Sequence, residues 1–582
     1  MRDNVSRTPK FRRPAFWPVG QRLAGHWRAV VCTVALAATA AACRSSDAPA
    51  SAPASRTGIP RGGTLTLSTR AEPRSFFRLT ARDTTTALIS DLTQAKLVRI
   101  NKVTDDVEPW LAESWTRSAD ARRYTLKLRD GVVFSDGVPF TSDDVVFTFR
   151  AIYDEKTGGT LADSLEANGK RLQVKAIDPH TVEIAFAEPF GPGVRLLDNL
   201  PVFPKHVLEP LLDAGKLASA WTVSTPPSQV VGLGPFVIAS YTPGERVVFA
   251  RNPKYFRKAP DGGPLPYVDR ISLEIIPDQN AELLRLEAGQ VDMTRTEIAP
   301  DSYAPLRRAA DAGRVQLVDL GIGYTSNSLW FNLRPGAFAG DPRAKWLQRD
   351  ELRQAISLAV DRQRFVDTVY LGAAAPNWGP VTEANKKWHW AGEPKTHDPD
   401  AARRLLASIG AGGDSARFTL LTQKGRPDLE RGCAVIREEL QKIGVTVDVV
   451  PLESSALIER FVKGSFDAVY YSFEMSDTDP AINADFWLSS GSAHVWNPEQ
   501  AKPATDWERQ IDALMAQQIA ASDPAERRRI FDDVQRIFFE HQPVLSFAVP
   551  RVYVAYSSRV VNVQPALSRP QLWWSLDTVA VR

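Results

Sequence analysis

The stretch from Arg123 to Ile152 leaves the chain few folding options. Tyr124, Leu126 and Leu128 alternate with Thr125, Lys127 and Arg129, the period of a strand with one buried face. Asp136-Gly137 follows. Glycine enters positive φ without a Cβ clash, so the pair marks a tight turn. Thr141, with Asp144 three residues on, has the form of a capping box, with Asp in the usual Glu position. Its oxygens can satisfy the free amides of a helix running through Val145 to Ile152. The passage reads strand, turn, helix, and its local role is scaffolding.

A chain of 582 residues is long enough for roughly three to four domains. Its 43% apolar and 24% charged residues supply a conventional core. The formal charge of +3 conceals an asymmetry. The first 42 residues hold seven of the 71 basic groups and one of the 68 acids, Asp3, which leaves 64 basic against 67 acidic groups. The remainder is mildly acidic and carries no nucleic-acid footprint.

The N-terminal segment reads as an export signal. Basic residues end at Arg28, and the apolar run Ala29 to Ala42 is too short to serve comfortably as a permanent membrane span. Ala40-Ala41-Ala42-Cys43 resembles a lipobox, with Ala40 where Leu is usual. Lipidation of Cys43 is expected, and cleavage after Ala42 without a lipid is the alternative. Arg12-Arg13 is not promptly followed by an apolar run and is discounted as a twin-arginine signal. Cys32 would leave with the signal and Cys43 would be acylated. Cys433 then stands alone in a helical pattern, as a small buried apolar residue. Residues 44–60 are rich in Ser, Ala and Pro, the composition of a flexible tether.

Beyond the tether, strands and helices interleave, which places the chain in the α/β class. Thr64 to Leu67, Thr181 to Phe186, Val247 to Ala250 and Val445 to Val450 read as strands. Helices are expected over Ala281 to Glu287, closed by Gly289, and over Glu351 to Val360. Asp361, Asp398-Pro399 and Asp523-Pro524 each open a further helix. No internal repeat is visible.

Catalytic motifs are missing. Gly410-Ala411-Gly412-Gly413 has no following Lys-Ser/Thr and is a helix-exit turn rather than a phosphate loop. There is no G-x-S-x-G elbow, no H-E-x-x-H and no paired Cys motif. The seven His are scattered, and Asp143-Asp144 and Asp532-Asp533 sit in helix starts or amphipathic helices. No enzymatic activity, cofactor or metal site is expected.

Several motifs together resemble the bacterial extracellular solute-binding proteins of family 5. They are Leu111-Ala112-Glu113-Ser114-Trp115, Gly131 to Phe147, Val231-Gly232-Leu233-Gly234-Pro235-Phe236, Arg251-Asn252-Pro253-Lys254-Tyr255-Phe256 and Ala288-Gly289-Gln290-Val291-Asp292-Met293. The resemblance covers roughly Gly62 to Arg559. It implies a two-lobed periplasmic-binding-protein fold (type II, cluster C) with a subdomain inserted in lobe one. The expected divisions are signal 1–42, lipidated Cys and tether 43–60, lobe one 61–106, inserted subdomain 107–225, lobe one 226–322, lobe two 323–545, and a return to lobe one over 546–582. It also implies a role as the substrate-binding protein of an ABC importer. Peptides would be captured in the interlobe cleft and delivered to a permease and ATPase complex. The protein would be exported to the periplasm or cell surface, lipid-anchored and monomeric.

In the peptide receptors of this family a second-lobe segment like W-x-A-D-Y-x-D-P reaches the cleft, and its first Asp pairs with the peptide's ammonium. The matching segment is Phe466 to Pro480. Phe473 stands in the Trp position and Ser476 in that of the amine-binding Asp. Asp477, one residue on, is the candidate substitute, since a buried amine needs an opposite charge. Asp479 is expected to cap a following helix. Tyr324, Trp378, Trp388 and Trp390 fall in segments that border the cleft, where aromatic walls suit side chains or sugar faces. For the pair Trp388 and Trp390 simple packing is an equal reading. Arg426 is a candidate carboxylate clamp, with a solvated loop charge as its plainer reading. The departure at Ser476 keeps open a non-peptide solute: an oligosaccharide, an opine or a metal chelate. A secreted hydrolase and a non-transporting lipoprotein are alternatives of other classes.

Overall fold

The computed structural model describes residues 58–582 except 82, 159–160, 168, 393–395, 412–415, 473–474 and 476. The export segment, Cys43, Phe473 and Ser476 therefore lie outside the described residues. Four sheets organise the rest. Strand Thr64–Thr69 runs parallel to Arg270–Ile275, which continues antiparallel through Arg246–Arg251 to Phe236–Thr242. A second, antiparallel sheet holds Ala112–Arg117, Arg123–Leu128, Thr181–Ala185 and Gln173–Asp178. A third, five-stranded and mixed, orders Thr446–Leu452, Arg417–Gln423, Ala468–Ser472, Asn327–Phe331 and Val544–Ser546. The fourth pairs Val315–Ile322 and Ala374–Pro376 with the long strand Ala548–Ser557.

The elements form for the reasons their sequences give. Tyr124, Leu126 and Leu128 are buried on the inner face of their strand, with Arg123 and Lys127 on the outer. Helix Ser142–Ile152 starts in a Thr141/Asp144 capping box, and Thr141 N donates to Asp144 Oδ2 at 2.9 Å. Asp361, Asp398 and Asp523 accept from first-turn amides of their helices, and Gly137 sits at φ 102°. Helix Arg362–Tyr370 ends with Leu371 itself in the left-handed cap at φ 54°, just before Gly372. Cys433 is buried in helix Pro427–Gln441.

Two of the recurring motifs lock each other. At Gly232 a Cβ would lie 2.0 Å from Thr93 O, and at Gly234 2.4 Å from Leu92 O, so only glycine lets this turn lie against the end of helix Thr84–Thr93. Asn252, 1% exposed, donates through Nδ2 to Gly234 O at 2.8 Å. A third motif holds the chain ends together. Asp292 accepts from Thr66 N at 2.7 Å and from Arg559 Nε at 2.6 Å, joining the first strand to the C-terminal segment.

Apolar packing concentrates around the sheets. One core clusters on the five-stranded sheet and its helices, with Phe331, Phe365, Phe418, Cys433 and Phe547 inside. A larger one joins the first two sheets to the faces of Trp487, Phe531 and Phe538. Asp479 does not open a helix as expected. It accepts from Ala481 N at 2.9 Å within a turn, and its carboxylate takes two bonds from Arg527, at 2.8 and 2.6 Å. Both side chains are 7% exposed.

Breaking such a pair from one side strands a buried charge, a loss of about 3–5 kcal/mol. Asp479→Ala should lower stability by that amount in urea unfolding, whereas the exposed pair Arg509–Asp506 should contribute under ~1 kcal/mol when removed. A second buried acid gives a pH signature. Burial works to raise the pKa of Glu508, but hydrogen bonds from His494, Gln500 and Thr505 outweigh it and hold it at about 2. A carboxyl depressed by folding stabilises above its unfolded pKa of ~4.3 and loses that contribution as pH falls toward the folded value. Unfolding midpoints measured from pH 5 down to pH 2 should therefore fall less steeply for Glu508→Gln than for the parent chain.

Candidate ligand cleft

A cavity of about 700 Å³ lies where the sheets converge, within the range of small-molecule sites. Its walls draw on distant parts of the chain. Arg70 follows the first strand, Lys102 lies in the turn between Val98–Ile100 and Val107–Pro109, Arg195 follows the second sheet, and Tyr324, Arg426, Asp428 and Asp477 come from the segments around the five-stranded sheet.

Asp477, the proposed amine partner, is already engaged. Arg195, in the short helical segment Gly193–Asn199, donates from Nε to Asp477 Oδ1 at 2.9 Å. Its Nη2 donates to Asp105 Oδ1 at 2.6 Å and to Thr478 Oγ1 at 3.0 Å, and its Nη1 to Asp105 O at 3.0 Å. Lys387 adds a bond to Asp105 O at 2.8 Å and one to Asp106 at 2.9 Å. The side chains of Arg195 and Asp477 are only 10% and 13% exposed. Burial alone would lower the guanidinium's pKa, but Asp477 and Asp105 outweigh it and hold it above its usual range. For Asp477 burial raises the pKa more than Arg195 and the Asp479 amide lower it.

The other expected residues separate. Tyr324 and Arg426 line the cleft. Arg426 spends its fork on Asp428, with bonds of 3.0 and 2.9 Å, and Asp428 also accepts from Asn327 Nδ2 at 2.9 Å. Trp388 is 7% exposed and packs edge-on against Phe531, with Arg527 4.9 Å over its ring, and it lines neither cavity. Trp390 and Trp378 line a second, aromatic chamber of about 290 Å³ with Phe538, Phe539 and Gln542. Pro380, Val381 and Trp487 line both cavities. The indole N–H of Trp487 and Gln542 Oε1 are buried without a hydrogen-bond partner among the described residues.

Arg195, Asp105 and Lys387 were not singled out from sequence, because none sits in a motif. The cleft wall beside Arg70 also gathers arginines. Arg569 donates to Glu297 at 2.7 and 3.0 Å. Arg70 bonds Thr296 Oγ1 at 3.0 Å. Arg295 makes no hydrogen bond or ion pair among the described residues. Burial, with the charges of Arg70 and Arg569, lowers its pKa. No group of three His, Cys, Asp or Glu among the described residues is placed to hold a metal ion.

Comparison with known proteins identifies the architecture. A protein of Deinococcus radiodurans described as a probable ABC transporter-binding protein is 28% identical over 516 residues, covering 83% of this chain and 85% of its own length. Di/tripeptide-binding protein 2 of Pseudomonas aeruginosa is 26% identical over 518 residues, covering 85% and 91%. The crystal structure of the ABC transporter substrate-binding protein CtaP from Listeria monocytogenes superposes with a TM-score of 0.75 at 24% identity, over 90% of this chain and 99% of that one. Its two-lobed fold is the fold seen here. Residues 106–494, more than half of the chain, match the bacterial extracellular solute-binding proteins, family 5 Middle, and the chain belongs to that family.

Proposed function

We propose that this protein is the capture component of an ABC importer, taking up short peptides in the cleft and presenting them to a permease and ATPase complex. The cleft itself carries the reading: a 700 Å³ cavity walled by segments of both lobes. A ligand there touches both sides, so binding favours the closed arrangement by its differential contacts. The names of the Deinococcus and Pseudomonas relatives support the importer and the peptide respectively. The divisions we propose are lobe one over 61–106, 226–322 and 546–582, the inserted subdomain over 107–225 and lobe two over 323–545; the first two sheets each keep to one division, whereas Ala374–Pro376 pairs with Ala548–Pro550 and Val98–Ile100 with Val107–Pro109 across the bounds. The protein works as a monomer that binds without transforming its ligand. It is exported and held at the membrane by a lipid on Cys43, with residues 44–60 as tether. Tyr324 and Arg426 contact the ligand, and an apolar side group enters the chamber beside Trp390.

One observation favours a second reading, a solute without a free amine. Asp477, the substitute for the carboxylate absent at Ser476, is held by Arg195. In this reading Arg195 closes the cleft by joining the Gly193–Asn199 segment to the loop after strand Ala468–Ser472.

Native mass spectrometry of the soluble chain from Ser45 decides between them. Peptide capture predicts a ladder of co-purified peptide masses. A single non-peptide adduct would favour the second reading instead. Arg195→Ala leaves Asp105 and Asp477 buried without their shared cation. It should widen the cleft, seen as an increased radius of gyration in small-angle scattering without ligand, while the folded content by circular dichroism stays unchanged. Cys43→Ser should move the full-length protein from the membrane fraction to the soluble fraction. Retention in the membrane fraction would rule out the lipid anchor.

A further inference from the structure

The cleft's charges are unevenly spent. Among the described residues five carboxylates line it: Asp105, Glu297, Asp301, Asp428 and Asp477. Four accept hydrogen bonds from arginine: Asp105 and Asp477 from Arg195, Asp428 from Arg426 and Glu297 from Arg569. The fifth, Asp301, faces Arg431 at 3.5 Å. Seven cations line the same space, among them Arg70, Lys102 and Arg431. Among the described residues none of these three donates a hydrogen bond to a carboxylate. Arg70 bonds a threonine hydroxyl and stands 3.9 Å from Glu282. Lys102 lies 3.8 Å from Asp198, and Arg431 bonds a backbone carbonyl at 3.1 Å.

From this we infer that the cleft selects solutes by an anionic group, a carboxylate or a similar oxyanion, and not by an amine. The inference rests on the solute-capture reading above and names the chemistry of its ligand. Charge-assisted bonds to an anion are the strong interactions left to the site, because each lining carboxylate among the described residues already faces a guanidinium. A ligand ammonium would have to displace one of those guanidinium groups and leave it without its partner in a closed cleft. An anion at Arg70, Lys102 or Arg431 breaks no hydrogen bond to a carboxylate and competes only with longer ion pairs of 3.9, 3.8 and 3.5 Å. Arg70 and Lys102 stand on the first lobe's side, and Arg431, on helix Pro427–Gln441, on the other. A solute with two anionic groups would therefore draw the two sides together. Arg295, without a hydrogen bond or ion pair among the described residues, adds positive potential close to Arg70.

The test compares length-matched peptide sets of two to six residues by native mass spectrometry and calorimetry. One set is N-acetylated with a free carboxylate, and the other has a free amine and an amidated C-terminus. The acetylated acids should bind at least tenfold more tightly. Their binding should weaken with added salt, and Arg70→Gln/Lys102→Gln should remove tenfold or more of it. Equal or tighter binding of the amides overturns the anion inference and leaves peptide capture standing. Binding of neither set overturns peptide capture, and citrate, glucuronate and N-acetylglutamate then decide the charge. Binding of any of them, weakened in the double variant, supports the anion inference. No binding of any of the three overturns it as well.

Discussion

Arg195 is the group around which the cleft is organised. It comes from the short helical segment that follows strand Thr181–Ala185 and reaches Asp477, 282 residues further along the chain. With Asp105, Asp477 and Thr478 it makes one largely buried network, which the half-exposed Lys387 joins at Asp105. A guanidinium suits this position. Its planar fork can serve two carboxylates and a hydroxyl at once, and it stays charged when desolvated. Each carboxylate is tolerated under burial only because the cation is shared, so no member of the network is independent of the others.

The same economy of charge appears deeper in the fold. Asp479, two residues from Asp477, is held by Arg527, which in turn lies over Trp388. The loop that carries the cleft acid is therefore fixed from behind by a second buried pair. Trp388 is thereby drawn into the core, while Trp390, two residues on, faces the aromatic chamber. In this irregular segment two tryptophans two residues apart serve different ends, one packing and one lining the cavity.

Much of the fold was legible locally. The strand from Arg123, the Thr141/Asp144 box, the Asp-Pro helix starts and the turn at Asp136-Gly137 all follow from side-chain period and capping, interactions spanning a few residues. The glycines of Val231 to Phe236 and the Asn252 motif were visible as patterns, but their reason was not. Gly232 and Gly234 are needed because helix Thr84–Thr93 ends against them, and Asn252 because Gly234 O needs a donor there. The site was legible only in part. Tyr324, Arg426 and Asp477 do line the cleft. Arg426 and Asp477, however, arrive with partners that spacing along the chain does not reveal.

The sequence by itself determined the α/β order of elements, their caps and turns, and the family to which the chain belongs. Each of these is written in short-range period or in local motifs. Only the tertiary structure decided what each cleft charge faces. Whether a carboxylate is free for a ligand or bound to an arginine depends on which side chain the fold brings within about 3 Å. At Asp477 that side chain is Arg195, and nothing near either residue in the sequence announces the other.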